Sequence, residues 1–196
     1  MLQPRRPDYV QGGYYHIYNR GAHRQSIFRQ TEDYTALLLL VKEYALKLQL
    51  AIIVYCLMPN HYHFLLRQDG PNQAGLLPQK VFNSYSKTFN RRYDHSGTLF
   101  EGPYKVKLIE TDSHLLHLCR YIHASPVKDG IALAPELWLY SNYLEWIGER
   151  KGTLVDRPFI ADHFPNPQQY VQFVQEYIAT RKSTEEVEQY LKALEN

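Results

Sequence analysis

The sequence has only two cysteines among 196 residues, Cys56 and Cys119, and each lies in an apolar stretch. Two cysteines exclude a disulfide scaffold and a four-cysteine zinc site, and core thiols are typical of a reducing compartment. The longest apolar runs fall well short of the ~20 residues that a membrane-spanning helix needs. Residues 1–8 are polar and contain Pro4 and Pro7, without the apolar core of a secretion signal. We therefore expect a cytoplasmic protein that does not enter membranes.

The chain also lacks an excess of charge of either sign, since its formal net charge is only +2. That value neither demands nor excludes a nucleic-acid partner. Aromatic residues are instead abundant, at 14% of the chain with 17 tyrosines, and many lie near arginine or lysine. Surfaces that combine aromatic and basic side chains suit the stacking of unpaired bases. Most of these tyrosines must nevertheless be structural.

Hydrophobic periodicity predicts an α+β fold. Runs of strand-forming residues alternate with apolar residues at helical spacing. Thr31 is a good N-cap for the first helix, and Pro126 should end the third. The predicted elements are strands at Tyr14–Arg20, Ala51–Met58 and about 61–67, a further strand or hairpin within Gly97–Glu110, and helices at about 32–49, 79–93 and from Thr111 or Asp112.

This order of elements predicts a ferredoxin-like arrangement, with a central antiparallel β-sheet of four or five strands packed with α-helices. Beyond about residue 133 the sequence changes to an aromatic and proline-punctuated segment. Two further helical patterns follow, at about 168–181 and 184–194. We therefore expect one domain over residues 1–133 and a mostly helical C-terminal extension over residues 134–196.

Two histidines, His61 and His63, stand one residue apart at the start of an apolar strand. Because successive strand side chains alternate between faces, both rings should project from one face, while Tyr62 and Phe64 fill the other. Neutral imidazole is the commonest protein metal ligand, so the pair is a candidate metal clamp. Two strand histidines that bind nothing would give the same pattern.

Basic residues recur beside these elements. Arg20 and Arg24 lie in or after the first strand, Lys87 and Arg91 share one row of the second helix, and Lys105 lies in the strand or hairpin within Gly97–Glu110. Such residues are ordinary solvated charges unless they track a phosphate backbone. They are our candidate contacts to nucleic-acid phosphates.

Four motifs in order resemble the single-tyrosine HUH transposases, and in particular the REP-associated tyrosine transposases. They are Met58–His63, Phe89–Tyr93, Leu99–Lys105 and Arg120–Val127. The resemblance covers about residues 10–145 and implies the HUH variant of the ferredoxin-like fold. It also implies a transposase that nicks single-stranded or hairpin DNA with a divalent metal ion, magnesium or manganese, and forms a covalent link to a 5′ phosphate.

By that resemblance His61 and His63 are the metal ligands and Tyr121 is the nucleophile. The family usually has asparagine or glutamine four residues after the tyrosine, where this chain has Ser125. Ser125 is therefore the candidate third ligand, with His123 or water as substitutes. The resemblance leaves open whether the protein acts as a monomer or a homodimer.

Two other functions fit the same residues. An antiparallel sheet with aromatic and basic side chains also describes a non-catalytic module that binds single-stranded nucleic acid. A metal-dependent phosphodiesterase that uses water as the nucleophile would leave Tyr121 with a structural role only.

Overall fold

The structure, a computed structural model, describes residues 7–180 and 188–190. The described residues form two compact units. The first contains those up to Ile52 together with Leu57–Leu108, and the second contains Ile53–Cys56 together with those from Ile109 onward. The domain boundary expected at residue 133 stays a prediction.

A four-stranded antiparallel sheet organises the fold and confirms the α+β prediction. Its spatial order is β2-β3-β1-β4, with the first and third strands in the middle. One helix connects β1 to β2 and another connects β3 to β4, which is the ferredoxin-like arrangement. The strands are β1 at Tyr14–Arg20, β2 at Leu50–Met58, β3 at His61–Gln68 and β4 at Lys105–Ile109.

The register between the two central strands decides which side chains share a face. β1 and β3 are antiparallel, with Tyr18 opposite His63 and Arg20 opposite His61. Side chains alternate along each strand, so residues of β1 with even numbers lie on the same face as the two histidines. The register therefore also places His16 on this face.

The opposite face of the sheet is covered by α1 at Thr31–Leu48 and α2 at Leu76–Tyr93. Apolar residues of the sheet and both helices line one small space, among them Ile17, Phe64, Val41 and Val81. Each fully buried aliphatic or aromatic side chain contributes roughly 1.5–3 kcal/mol to the free energy of unfolding. This packing holds β3 rigid behind its histidines.

Thr31 is not the N-cap of α1, contrary to the sequence prediction. The cap is Gln30, which forms a reciprocal capping box with Asp33. Asp33 is only 2% exposed and accepts hydrogen bonds from Arg92 (2.6 Å) and the Tyr93 hydroxyl (2.7 Å) at the end of α2. A tertiary contact between the two helices therefore sets where α1 begins.

The second unit is mainly helical. The two longest of its described helices, α3 at Asp112–Lys128 and α6 at Pro167–Thr180, pack against each other. Thr111 caps α3 as predicted, since its hydroxyl accepts from the His114 backbone at 3.2 Å. Two short α-helices lie between them, α4 at Tyr143–Trp146 and α5 at Arg157–His163, together with a 3-10 helix at Pro135–Leu137.

Pro126 does not end α3, contrary to the sequence prediction, because the helix continues to Lys128. Proline removes one backbone donor and crowds the carbonyl four residues earlier, and because α3 ends two residues after Pro126, this affects only its last turn. The carbonyls of the last turn are satisfied from beyond the helix, for example by the Ile131 amide, which donates to the Pro126 oxygen at 2.8 Å.

Of the two helical patterns predicted near the C-terminus, α6 matches the first. The second lies mostly outside the described residues, although 188–190 are helical. No helix in the described part of the chain is long and apolar enough to cross a membrane.

Candidate active site

The two predicted metal ligands occupy the start of β3 and share one face of the sheet. The ring centroids of His61 and His63 are 5.2 Å apart, and the rings meet edge to face at 84°. Tyr62 points the other way and stacks on Phe82 of α2, with ring centroids 4.1 Å apart. The predicted alternation of side chains between the two faces of the sheet is therefore confirmed.

A neighbouring amide fixes the tautomer of His61. The Asn60 amide nitrogen donates to the Arg24 carbonyl at 3.4 Å, so the amide oxygen of Asn60 is the atom 2.7 Å from Nδ1 of His61. An amide oxygen only accepts, so Nδ1 of His61 carries the proton. In the neutral ring the lone pair then lies on Nε2, where it can bind a metal ion.

A third histidine, which the sequence analysis did not identify as a site residue, contacts His63. Nε2 of His16 lies 3.0 Å from Nδ1 of His63, and the side chains of both residues are buried. The Tyr18 ring stacks beside them, 4.8 Å from the His16 ring and 5.9 Å from the His63 ring. The only sequence signal was the alternation in Tyr14–Arg20, which puts His16 and Tyr18 on one face but does not identify the strand they meet.

Among the described residues, no group of three or more histidine, cysteine, aspartate or glutamate side chains is arranged to hold a metal ion. The His61 and His63 pair nevertheless fits a divalent ion in its donor chemistry. Both rings lie on one rigid strand, and His61 has its lone pair on Nε2. A site built on them would have two imidazole ligands and several positions left for oxygen ligands.

Tyr121 lies on α3 in the second unit, with its side chain largely buried. Lys128 places its ammonium nitrogen 4.9 Å from the centre of the Tyr121 ring. The Tyr177 ring of α6 lies 6.4 Å away, edge to face. Both contacts hold the phenol ring in a defined orientation.

Ser125 directs its hydroxyl to the helix backbone, where it donates to the Tyr121 carbonyl at 2.9 Å. The oxygen of Ser125 keeps lone pairs, so its role as a third ligand stays a prediction.

His123, the substitute third ligand, forms hydrogen bonds to other residues through both ring nitrogens. Its Nδ1 lies 2.6 Å from the Tyr170 hydroxyl and its Nε2 lies 2.9 Å from the Asn142 side-chain oxygen. Complete burial lowers the pKa of His123 to about 3, so the ring is neutral. Because both ring nitrogens are hydrogen-bonded, the structure does not favour His123 as a ligand and assigns it to the core of the second unit.

The five candidate DNA contacts all lie in the first unit. Arg20 forms an ion pair with Glu101. The pKa of Glu101 is lowered, chiefly by the hydrogen bond from Arg20 and further by Lys105 and Arg24. Three of the five predicted cations are thus grouped around one carboxylate.

The other two, Lys87 and Arg91, are exposed on α2 one turn apart. The structure therefore divides the predicted contacts into a cluster around Glu101 and a row on α2.

The chain was compared with known proteins. No curated protein matches it. A solved REP-associated tyrosine transposase bound to a REP hairpin has 16% identity to this chain and a TM-score of 0.62, over 79% of this chain and 94% of that one. A putative transposase from Deinococcus radiodurans R1 has 18% identity and a TM-score of 0.43, over 62% of this chain and 95% of that one.

The first of these structures shows a shared fold. The family model of IS200-like transposases matches residues 9–125, which is more than half of the chain and includes His61, His63 and Tyr121. The protein therefore belongs to the family of IS200-like transposases.

Proposed function

We propose that this transposase is a metal-dependent endonuclease and strand transferase for single-stranded DNA that cleaves through a covalent 5′-phosphotyrosine intermediate on Tyr121. One observation carries the proposal. In a member of the IS200-like family, the two histidine rings lie on one face of a central strand, and the Nδ1 proton of His61 leaves its lone pair on Nε2, the nitrogen that would bind a metal ion.

His61 and His63 would hold the ion, magnesium or manganese, with Ser125 as the proposed third position. When bound, such an ion stabilises the negative charge that develops on the phosphate and the leaving oxygen. Residues of this chain supply the nucleophile and position it.

Tyr121 supplies the nucleophile. A phenol has a pKa of about 10, so Tyr121 must lose its proton before or during the attack. Its oxygen then forms a bond to phosphorus, the bond from phosphorus to the 3′ oxygen breaks, and that oxygen takes up a proton as a free 3′-hydroxyl. Lys128, 4.9 Å from the ring centre, favours the negative charge on the phenol oxygen.

The phosphotyrosine ester conserves the energy of the broken phosphodiester. A 3′-hydroxyl can therefore attack the ester, release Tyr121 and join DNA ends without ATP. This reversibility suits strand transfer better than degradation.

For the substrate, we propose single-stranded DNA that folds into hairpins at repetitive extragenic sequences, since the relative of the same fold is bound to a REP hairpin. Arg20, Arg24 and Lys105 would contact phosphates from the cluster around Glu101, and Lys87 and Arg91 from α2. A monomer or a homodimer could perform this reaction, with Tyr121 acting within one chain or on DNA held by a second copy.

A denaturing gel of a 3′-labelled hairpin strand incubated with protein and Mn²⁺ tests the proposal, because the DNA that stays attached through its 5′ phosphate carries the 3′ label. The expected result is a labelled DNA fragment that migrates with the protein and is released by protease. Free cleaved ends without an adduct would indicate a phosphodiesterase that uses water. An intact strand that is nevertheless bound in a native gel would indicate a binding module.

A further inference from the structure

The hydrogen bond between His16 and His63 joins two buried side chains on neighbouring strands. Their ring nitrogens are 3.0 Å apart, while the ring centroids are 5.2 Å apart and the planes differ by 16°. Because the centroids are much farther apart than the nitrogens, the rings meet edge to edge, with the hydrogen bond along the line between them. His16 has no exposed surface, and His63 is only 5% exposed.

This contact restricts how His63 can act as a ligand. Nδ1 of His63 faces His16, so His63 can bind an ion only through Nε2. A neutral imidazole with its lone pair on Nε2 carries its proton on Nδ1. That proton must then be donated to Nε2 of His16, which requires His16 to hold its own proton on Nδ1.

The position of His16 is itself fixed by its neighbours. The Tyr18 ring lies 4.8 Å from the His16 ring with an interplanar angle of 21°, and the Lys105 ammonium lies 5.7 Å from the Tyr18 ring centre. His16 also sits within β1, whose register with β3 sets the separation of the two histidines. A residue held in this way can orient the ring to which it bonds.

We infer that His16 is a positioning residue that accepts the Nδ1 proton of His63 and so presents Nε2 of His63 to the metal ion. This inference rests on the proposed function, because it assumes that His63 is a ligand. Both ligand histidines would then donate their Nδ1 proton to a neighbouring side chain. Asn60 accepts the proton of His61 at 2.7 Å, and His16 accepts that of His63. Partners of this kind, hydrogen-bonded to a ligand histidine, typically change metal affinity about 10- to 100-fold when they are removed.

The direct test is the tautomer of His63 in the metal-free wild-type protein. Long-range ¹H–¹⁵N correlation spectra of ¹⁵N-histidine protein at pH 8 distinguish the two neutral forms. We expect His63 to carry its proton on Nδ1. A proton on Nε2 would overturn the inference, and this measurement requires no variant to fold.

The second test is the affinity for Mn²⁺ alone, from the loss of the free-ion electron paramagnetic resonance signal. His16→Phe keeps a ring and removes the acceptor, so it should weaken Mn²⁺ binding about 10- to 100-fold. His16→Gln offers an amide oxygen and should recover part of that affinity. Tyr18→Phe is the matched control on the same face and should bind Mn²⁺ like wild type.

The outcomes separate this inference from the proposed function. If wild type binds Mn²⁺ and folded His16→Phe binds it equally well, the positioning role of His16 is overturned and the proposed function stands. If wild type binds no Mn²⁺, both are overturned. Weak Mn²⁺ binding by His16→Phe, with partial recovery in His16→Gln, supports both.

Discussion

Lys128 and Tyr121 lie two turns apart on α3, and the Lys128 ammonium is 4.9 Å from the centre of the Tyr121 ring. A cation beside an aromatic ring is attracted by the ring's electron density. The same charge lowers the free energy of a phenolate more than that of a phenol. The helix therefore supplies Tyr121 with an electrostatic partner from its own last turn.

Lys128→Met should slow formation of the DNA–protein adduct. Two unit charges about 4 Å apart interact with about 1 kcal/mol in a water-like dielectric, so the loss of the Lys128 charge should slow the reaction by up to about fivefold. The variant should remain folded, because the lost cation–π contact is worth only about 0.5–2 kcal/mol. The control is Lys151→Met, which removes another exposed positive charge from the second compact unit. Equal adduct rates in Lys128→Met and wild type, from a time course on denaturing gels, would exclude this role for Lys128.

Removing both histidines of the pair should separate cleavage from binding. His61→Ala with His63→Ala leaves no imidazole on this part of β3, so Mn²⁺ binding and nicking should be lost. Hairpin binding should persist, because the candidate phosphate contacts are side chains of other residues, which the double variant retains. His23→Ala, an exposed histidine in the loop after β1, is the control. Nicking by the double variant at the wild-type rate would show that the pair has no part in the reaction.

Stability should fall in mild acid because of His123. Its pKa is lowered from 6.5 to about 3 by complete burial, so below pH 6.5 the unfolded chain takes up a proton that the folded protein does not. Stability contributed in this way is full above pH 6.5 and decreases down to the folded pKa. At pH 5 the loss from this one residue is about 2 kcal/mol.

Urea denaturation at pH 7.5 and pH 5 checks this prediction. His123→Gln should be less stable than wild type at pH 7.5 but should lose about 2 kcal/mol less on acidification. Tyr170→Phe is the matched control, because it removes the 2.6 Å hydrogen bond to His123 and keeps the titrating ring. An equal loss on acidification in His123→Gln and wild type would contradict the assignment.

Hairpin affinity should depend on salt through the predicted cations. If Arg91 contacts a phosphate, Arg91→Ala should reduce the slope of log affinity against log salt concentration by about 0.7–0.9. Lys42→Ala, an exposed cation on α1 that we do not predict as a contact, should leave the slope unchanged. Fluorescence anisotropy of a labelled hairpin over a salt series measures both slopes. An unchanged slope in Arg91→Ala would remove this residue from the footprint.

The sequence was sufficient for the strands, the longer helices and the direction of the histidine rings, because these depend on local periodicity. It did not predict the short helices α4 and α5. β3 begins at His61 and α2 ends at Tyr93, as predicted, and the two rings share a face. What could not be predicted depends on contacts between distant segments. The predicted N-cap of α1 was wrong because Asp33, which forms the capping box with Gln30, is buried against residues of α2.

His16 and Glu101 could not be identified from the sequence either, because each contacts a residue that is distant in the chain. His16 meets His63 only through the register of β1 with β3, 47 residues apart in sequence. Glu101 pairs with Arg20 across 81 residues. A pairing register depends on the assembled sheet, so a single strand does not reveal its partner.

The most direct test concerns one oxygen atom. Tyr121→Phe keeps the ring, the helix and the packing but removes the atom proposed to attack phosphorus. The loss of one hydrogen bond costs about 0.5–1.5 kcal/mol, too little to unfold a domain of this size. The comparison variants are Tyr93→Phe, which loses the 2.7 Å bond to Asp33, and Tyr104→Phe, which changes a tyrosine within the third motif.

The measurement is the covalent adduct on a denaturing gel, with folding checked by circular dichroism. We predict that Tyr121→Phe is folded and forms no adduct, while Tyr93→Phe and Tyr104→Phe still form it. An adduct in Tyr121→Phe, together with its loss in one of the other two variants, would place the nucleophile on α2 or in the segment before β4 and contradict the assignment of Tyr121.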